Sequence, residues 1–360
     1  MNEELQQLSS SAHGLLEKEA GPAAFRQVRE SDGPGFDVSL WGKMAELGWA
    51  GLALSEEHGG YDMGARGLVA VGEALGAHLA SSPFATTVLA AKTLAAAGVT
   101  GALEEIVAGT HVVAVPLDAG SRRAGPTVMA VRSGDGFRLK GNLRQVANFP
   151  AAQSLLFWAR TSDDATTAFI MPTADVKAAL TVHVDMHRAA SVAFEDLEVG
   201  ADAVVGEVGG GDALLEAALD PTRAAVAAEL VGLANAVFQQ TVAYLKDRKQ
   251  FGVPIGSFQA LQHRAAHLHT ELAIAGAVVR KAAAALDDAR ADAAALVSAA
   301  KAKAGQIAIL TGNEAIQMHG GVGVTDEYDV GLFVKRIRAL ENAFGDADFH
   351  TDRYAMKSGF

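Results

Sequence analysis

The sequence has no cysteine among its 360 residues. This absence excludes disulfide bonds, thiolate metal sites and a cysteine nucleophile, and it fits a reducing compartment, so we expect a cytoplasmic protein. Basic residues are also scarce, with 30 Lys and Arg against 42 Asp and Glu, and the net charge of −12 argues against a nucleic-acid partner. Charges interrupt every alanine-rich stretch before it reaches the roughly 18 apolar residues of a membrane span, so we expect no membrane insertion.

Several catalytic and nucleotide-binding motifs are missing as well. The sequence has no G-x-S-x-G nucleophile elbow, no P-loop, and no G-x-G-x-x-G that opens a helix after a strand. The polar, acidic N-terminus does not resemble a secretory signal. What remains is a chain that is half hydrophobic and one-fifth charged, which is typical of a compact protein of two or three domains.

Residues 1–110 predict an N-terminal helical domain. Leu40, Met44 and Leu47 recur at helical spacing after Asp37, a candidate N-cap. A later helix, "ATTVLAAKTLAAAG", ends at Gly98 in the position that glycine usually takes after a helix.

Residues 111–207 predict a middle β domain, because the hydrophobic period changes to two and β-branched residues become frequent. Seven short runs are strand candidates, and "RSGDGF" is typical of a hairpin turn. We interpret them as a small β-barrel or sandwich. Residues 208–360 return to long alanine-rich helices and predict a C-terminal four-helix bundle. Its helices are expected from near Pro221 to Arg248, over 259–288, over about 292–318, and after Asp329.

Two motifs in the C-terminal domain carry residues suited to binding a nucleotide. In "DRKQFGVPIGSFQALQH", Arg248 can donate two hydrogen bonds to a phosphate, and Phe251 lies on a glycine turn where it can stack on a flat ring. In "AIQMHGGVGVTDEY", Gly320 and Gly321 allow a ligand to approach the backbone, and Gln317 can donate to a phosphate or a ribose. Taken singly, each motif also fits an ordinary helix end.

Together with "LWGKMAELGWAGLALSEEHGGYDMG" near the N-terminus, these motifs resemble those of the acyl-CoA dehydrogenase family over essentially the whole chain. The resemblance implies FAD bound between a middle β-barrel and a helical bundle, with the neighbouring subunit completing the site. Arg248 would then hold the pyrophosphate of the FAD of the partner subunit, and Phe251 would pack on that cofactor. Gln317, Gly320 and Gly321 would line its adenosine-diphosphate part.

The middle domain departs from the family pattern. In "VPLDAGSRR" and "QVANF", Ser121 and Asn148 are kept and are candidate FAD contacts. Other side chains expected near the flavin ring are replaced. The replacements are Val115, Pro116, Gln145 and Ala147, which stand where the family has threonine, glutamate, tryptophan and threonine.

The residue that the family uses as its base is missing too. Family chemistry removes the α-proton of an acyl-CoA and passes the β-hydrogen to the flavin as hydride, which requires a carboxylate in a dry pocket. Phe344 takes the usual glutamate position, and Thr222 takes the alternative one before Arg223. The Phe344 N–H is still expected to polarise a thioester. Asp346 is the nearest candidate base, and Glu341 lies three residues upstream of Phe344.

Three interpretations therefore stay open. The chain is a subunit of a heteromeric dehydrogenase whose paralogous partner supplies the base, as in some bacterial enzymes for steroid side chains, or a self-sufficient dehydrogenase that uses Asp346, or a non-catalytic acyl-CoA- or flavin-binding protein of the same fold. The resemblance also implies an acyl-CoA substrate, electron-transfer flavoprotein or a similar electron acceptor, and a homo- or hetero-tetramer.

Two histidines and one acidic segment are candidate metal ligands. His263 and His267 lie one helical turn apart, and "DADFH" (346–350) holds ligand-type side chains. Neither group has a third ligand placed by the sequence pattern, so we predict no metal site.

Overall fold

The computed structural model describes residues 3–121, 125–162 and 165–360. Helices form the first part of the chain. Asp37 caps the third of them, since its carboxylate accepts a 3.0 Å hydrogen bond from the Leu40 N–H, and Gly98, at φ +69°, follows the fifth as predicted. These helices are α1 (Glu3–Glu19), α2 (Pro22–Glu30), α3 (Val38–Glu46), α4 (Gly64–Ala77), α5 (Phe84–Ala96) and α6 (Leu103–Val107).

The middle of the chain forms an eight-stranded sheet, and the seven predicted strands are all present. Both β1 and β2 pair with β3 and with β4, so these four strands close on themselves, while β7–β6 and β5–β8 extend on either side. The strands are β1 (Val113–Pro116), β2 (Val128–Ser133), β3 (Gly136–Ala147), β4 (Ser154–Ser162), β5 (Ala165–Pro172), β6 (Lys177–Val182), β7 (Arg188–Val199) and β8 (Val204–Val205).

The last part of the chain is a helical bundle with a two-stranded hairpin between its first two helices. Its helices are α7 (Gly211–Asp247), α8 (Gln259–Asp287), α9 (Ala293–His319), α10 (Val330–Asn342) and α11 (Ala347–Lys357), and its hairpin strands are β9 (Lys249–Gln250) and β10 (Val253–Pro254). The order helices, sheet, helices confirms the predicted fold class. The domain limits at 110 and 207 stay a prediction.

The predicted start of α7 is wrong. The helix begins at Gly211 and contains Pro221 in its interior. Proline removes one backbone hydrogen bond there, but its neighbours Leu219 and Thr222 are fully buried. Tertiary packing therefore outweighs the local preference, since α7 is the central helix and packs against α4, α5, α8, α9 and α10.

A buried ion network joins the sheet to the bundle. The Arg336 guanidinium on α10 lies 3.1 Å from the Asp185 carboxylate in the β6–β7 turn and 2.7 Å from the Glu229 carboxylate on α7. Asp185 also lies 3.0 Å from the His187 imidazole. The positive charges beside it hold the pKa of the buried Asp185 carboxyl below its usual range, although burial alone would raise it.

Within the described residues, one helical stretch, 293–324, is long and apolar enough to cross a membrane. However, 61% of its apolar window is buried inside the protein. One such helix is weak evidence, because the core helix of a bundle has the same length and composition.

Candidate active site

Phe344 lies in the turn between α10 and α11 and is fully buried. Its backbone has φ +57°, the left-handed region that side chains other than glycine seldom adopt. The following residue, Gly345, has φ +111°. A Cβ at Gly345 would meet the Phe349 ring at 2.5 Å, so this turn requires its glycine.

Hydrogen bonds fix the Phe344 peptide groups on both sides. The Phe344 N–H donates to the Leu117 carbonyl oxygen at 2.7 Å. The Phe344 carbonyl oxygen accepts from Arg223 Nε and from His350 Nε2, each at 3.1 Å. The Phe344 N–H, which we expected to polarise a thioester oxygen, is therefore already bonded to Leu117. That expectation does not hold in this structure.

The buried amine of Lys301 donates hydrogen bonds to this turn. Lys301 Nζ donates to the carbonyl oxygens of Glu341 at 2.6 Å and Gly345 at 2.8 Å. Burial lowers the pKa of Lys301 to about 7. A neutral amine carries two N–H groups, and two carbonyl oxygens accept from this one.

Arg223 joins the same turn to the sheet. Its Nη2 donates to the Gly120 carbonyl at 3.0 Å, and its Nη1 lies 3.2 Å from the Asp220 carboxylate. Burial lowers the pKa of Arg223 to about 10, and burial lowers the pKa of His350 to about 2, so the imidazole is neutral at physiological pH. The turn thus rests on a buried frame of donors from α7, α9 and α11.

The cavity beside Phe344 is small. Leu117, Ala147 and Asn148 line it from the sheet side, Thr86 from α5, and Phe344 from the bundle. Its volume is about 60 Å³, whereas pockets for small molecules and cofactors are roughly 300–1,000 Å³. The cavity is well below that range, so in this structure it does not hold an acyl chain beside a flavin ring.

The two candidate FAD contacts of the middle domain, Asn148 and Ser121, have hydrogen-bond partners in their own chain. Asn148, at φ +60°, donates through Nδ2 to Thr86 Oγ1 at 2.6 Å. The Ser121 hydroxyl donates to the Asp118 carbonyl at 3.0 Å. Asn148 lines the small cavity, and its contact with a flavin stays a prediction.

Neither candidate carboxylate lies in the cavity wall. Asp346 is exposed, and its Oδ1 accepts from the Phe349 N–H at 2.8 Å as the N-cap of α11. Glu341 Oε1 accepts from the Ala347 N–H at 2.8 Å. Thr222 is buried, with its hydroxyl donating to the Ala218 carbonyl. Both carboxylates therefore serve the first turn of α11.

The residues predicted to hold the pyrophosphate are exposed at the surface, in contrast to the buried turn at Phe344. Arg248 is exposed at the C-terminal end of α7. Phe251 stands at the tip of the β9–β10 hairpin with φ +54° and an exposed fraction of 93%. An aromatic ring so exposed on a rigid hairpin is suited to a contact outside its own chain.

The second segment that is predicted to bind the nucleotide is exposed too. Gln317 is exposed in the last turn of α9. Gly320 has φ +65° and ψ −144°, which only glycine adopts readily, and a Cβ at either Gly320 or Gly321 would meet no atom within 4 Å. Tyr244 Oη donates to the His319 carbonyl at 3.3 Å, so the C-terminal ends of α7 and α9 lie side by side.

The two halves of FAD fit the described residues unequally. Arg248, Phe251, Gln317 and the two glycines suit the adenosine-diphosphate half of the cofactor. The region around Leu117, Ala147 and Phe344 does not suit a flavin ring together with an acyl chain.

His263 and His267 are both exposed on α8. Among the residues that the structure describes, no group of three or more potential ligands is arranged to hold a metal ion.

Comparisons with known proteins agree with this architecture. The N-terminal domain of acyl-CoA dehydrogenases matches residues 2–107, and their C-terminal domain matches residues 209–358. The chain belongs to the acyl-CoA dehydrogenase family. Acyl-CoA dehydrogenase IpdE2 from Mycolicibacterium smegmatis is 32% identical over 346 residues, which cover 96% of each chain.

Solved structures of this family superpose on the whole chain. A Tcur3481-Tcur3483 steroid ACAD variant has a TM-score of 0.87 at 28% identity, covering 99% of this chain and 98% of its own. The ChsE4-ChsE5 complex from Mycobacterium tuberculosis contains a chain with a TM-score of 0.88 at 26% identity and the same coverage. Family membership gives this oxidoreductase an acyl-CoA dehydrogenase function, and members of the family use FAD.

Sequence reasoning missed the residues that close the site. The Leu117 carbonyl carries no signal, because a backbone acceptor leaves no trace in residue type. Lys301 did leave a signal: it is one of two lysines in the otherwise apolar helical stretch "SAAKAKAG", and helical periodicity places it among core alanines.

Proposed function

We propose that this chain is one subunit of a two-chain, FAD-dependent acyl-CoA dehydrogenase in which a paralogous partner chain supplies the base. The observation that carries the proposal is the 2.7 Å hydrogen bond from the Phe344 N–H to the Leu117 carbonyl. This bond occupies the N–H that would otherwise polarise a thioester oxygen.

The chemistry of the closed site supports this assignment. A phenylalanine ring cannot accept a proton, and its N–H is already bonded. Asp346 and Glu341 cap α11 through backbone N–H groups. Moving either carboxylate to an α-carbon would cost those hydrogen bonds and a change of the turn, so Asp346 is a weaker candidate for the base than a partner chain.

The open site supports a shared cofactor. Arg248 and Phe251 would hold the pyrophosphate and adenosine region of an FAD whose flavin ring lies in the partner, and Gln317, Gly320 and Gly321 would line the same region. When bound there, FAD supplies the hydride acceptor. The exposure of Arg248, Phe251 and Gln317 favours this arrangement over a non-catalytic scaffold, which needs no residues for holding a phosphate.

Substrate and assembly follow from the relatives' descriptions. One similar structure is described as a steroid ACAD and another as a complex of two chains. We propose a bulky acyl-CoA derived from a steroid side chain or fatty acid as substrate, electron-transfer flavoprotein or a similar protein as acceptor, a tetramer of two chain types, and a cytoplasmic location.

Co-expression with a paralogous acyl-CoA dehydrogenase chain tests the proposal. We expect anaerobic bleaching of the flavin by acyl-CoA only in the co-purified pair, because a missing general base costs about 10²–10⁴ in rate. Light scattering should then give a hetero-tetramer. Fast bleaching by the chain alone would refute the proposal.

Arg248→Ala in the pair tests the shared cofactor. A charge-assisted hydrogen bond contributes about 1.5–3 kcal/mol, so the dissociation constant for FAD should rise roughly 10- to 150-fold. Arg280→Ala, at another exposed arginine in the bundle, is the matched control and should leave FAD affinity unchanged. Equal affinity in both variants would remove Arg248 from the site.

A further inference from the structure

The two nucleotide-binding segments lie at the ends of two different helices, so their relative position must be fixed by something else. Arg248 follows α7, and Gln317 lies in the last turn of α9. Neither segment is held by the other's functional side chain in the described structure. Their common support is a cluster of three rings just beneath them.

This ring cluster consists of Tyr244, His319 and Tyr328. The Tyr244 and His319 ring centroids are 4.4 Å apart at an interplanar angle of 30°, and those of His319 and Tyr328 are 5.0 Å apart at 56°. Tyr244 and Tyr328 meet edge to face at 6.3 Å. Aromatic contacts at these distances add specific orientation to apolar packing.

Tyr244 makes one hydrogen bond toward each binding segment, one through its main chain and one through its ring hydroxyl. The Tyr244 carbonyl accepts from the Arg248 N–H at 2.9 Å, and the Tyr244 hydroxyl donates to the His319 carbonyl at 3.3 Å. That carbonyl belongs to the peptide that precedes Gly320. One tyrosine is thus bonded to the peptide group of Arg248 and to the peptide that starts the glycine turn.

His319 is locked in one orientation. Its Nδ1 donates to the Ala315 carbonyl at 2.7 Å, and its Nε2 is buried without a hydrogen-bond partner among the described residues. Burial lowers the pKa of His319, so the ring stays neutral and packs as a flat spacer. A Cβ at Gly323 would approach the His319 Cβ to 2.9 Å, so the turn folds tightly over the ring.

Helix α2 holds the loop of the third ring in place. Arg26 on α2 donates to the carbonyl oxygens of Asp326 and Glu327 at 3.1 and 3.2 Å, and to the Asp329 carboxylate at 2.6 Å. Arg29 donates to the Asp326 carboxylate at 2.8 Å. These four bonds fix the loop that carries Tyr328 against the cluster.

We propose that Tyr244, His319 and Tyr328 are positioning residues that set the spacing between Arg248 and the Gln317–Gly321 turn, and thereby select an adenosine diphosphate ligand over a shorter phosphate. This inference rests on the proposed function, since it concerns the same cofactor. Arg248 and the Gln317–Gly321 turn would have to contact the same ligand. A change in their spacing would lower the affinity for that ligand, because charge-assisted hydrogen bonds require short, aligned contacts.

The test uses the native assembly, freed of flavin, and measures calorimetric dissociation constants for FAD, ADP and FMN. FMN lacks the adenosine and second phosphate, so its binding reports the flavin site without Arg248 and the Gln317–Gly321 turn. The variants are Tyr244→Phe, which removes one hydroxyl and keeps the ring, His319→Ala, and His319→Phe, which keeps a flat ring. Tyr354→Leu and His267→Ala, at exposed positions away from the cluster, are controls.

We expect Tyr244→Phe and His319→Ala to weaken FAD and ADP binding about tenfold, the effect of one weakened hydrogen bond, with FMN binding unchanged. His319→Phe should restore most of the FAD affinity. Wild-type affinity for FAD and ADP in His319→Ala would overturn the positioning role alone. Equal losses for FMN and FAD would also overturn it, because they indicate a general loss of structure. A wild-type assembly that binds neither FAD nor ADP would instead refute the proposed function.

Discussion

The backbone N–H of Phe344 donates a hydrogen bond of 2.7 Å to the carbonyl oxygen of Leu117. This bond joins the turn where the family keeps its catalytic glutamate to the segment where it keeps its flavin contacts. The cavity left between them is about 60 Å³. Under the proposed function, a subunit whose partner supplies the base would show both features, a phenylalanine at position 344 and a small cavity beside it.

Phe344→Glu should not restore desaturation to the isolated chain. The new carboxylate would stand at the family position, but the Leu117 bond and the small cavity would still exclude an acyl-CoA. Anaerobic flavin bleaching, with FAD supplied in excess, measures this directly. A bleaching rate in Phe344→Glu at least tenfold above wild type would show that the space opens when a base is present.

Asp346→Asn should leave both activity and stability of the native assembly nearly unchanged. Asparagine is as good an N-cap as aspartate, so the bond to the Phe349 N–H is kept. Asp346→Ala, in contrast, should cost about 1 kcal/mol of unfolding free energy. Bleaching that vanishes in Asp346→Asn, with the stability intact, would identify Asp346 as the base and defeat the partner-chain account.

Arg336→Met should destabilise the chain strongly. It leaves the buried carboxylates of Asp185 and Glu229 without their shared cation, and breaking a buried ion pair on one side costs about 3–5 kcal/mol. Arg338→Met, two residues along the same helix and exposed, is the matched control and should change stability by under about 0.5 kcal/mol. Equal denaturant midpoints for the two variants would show that the network adds nothing.

Lys301 should make stability depend on pH above neutrality. Burial lowers its pKa from 10.5 to about 7, so between these values the unfolded chain binds the proton and the folded chain does not. The contribution of Lys301 to the free energy of unfolding is therefore most favourable above pH 10.5. It becomes less favourable as the pH falls toward 7, and it does not change further below pH 7. The slope is at most about 1.4 kcal/mol per pH unit.

Lys301→Met removes that proton linkage. Denaturant unfolding of both proteins at pH 7, 8 and 9 should show the free-energy difference, wild type minus variant, growing with pH. A difference that stays constant across the three pH values would mean that Lys301 is charged in the folded protein.

Local patterns in the sequence were enough to predict much of the fold. Asp37 and Gly98 mark helix ends as their chemistry requires, and the hairpin at 133–136 has the two-residue turn that its glycine and aspartate favour. Pro221 misled the prediction of α7, because burial on all sides outweighed a local preference.

The candidate site also has one part that the sequence suggests and one part that it does not. The proposed cofactor contacts around Arg248 and Gly320 depend on residue types, so the sequence is enough to suggest them, and they stay a prediction. The closed half depends on the Phe344 N–H, the Leu117 carbonyl and the Lys301 amine, which lie far apart in the chain. Long-range backbone contacts of this kind cannot be read from residue identity, and the expectation for the Phe344 N–H did not hold for that reason.

The central claim is that this chain helps to hold a flavin without forming a flavin site of its own, and the flavin content of the purified two-chain assembly tests it most directly. The measurement compares bound FAD, from its absorbance after release, with the amount of each chain. The account predicts one FAD for each pair of unlike chains, and little or no flavin in the isolated chain. One FAD for every chain, or a fully loaded assembly of this chain alone, would contradict it.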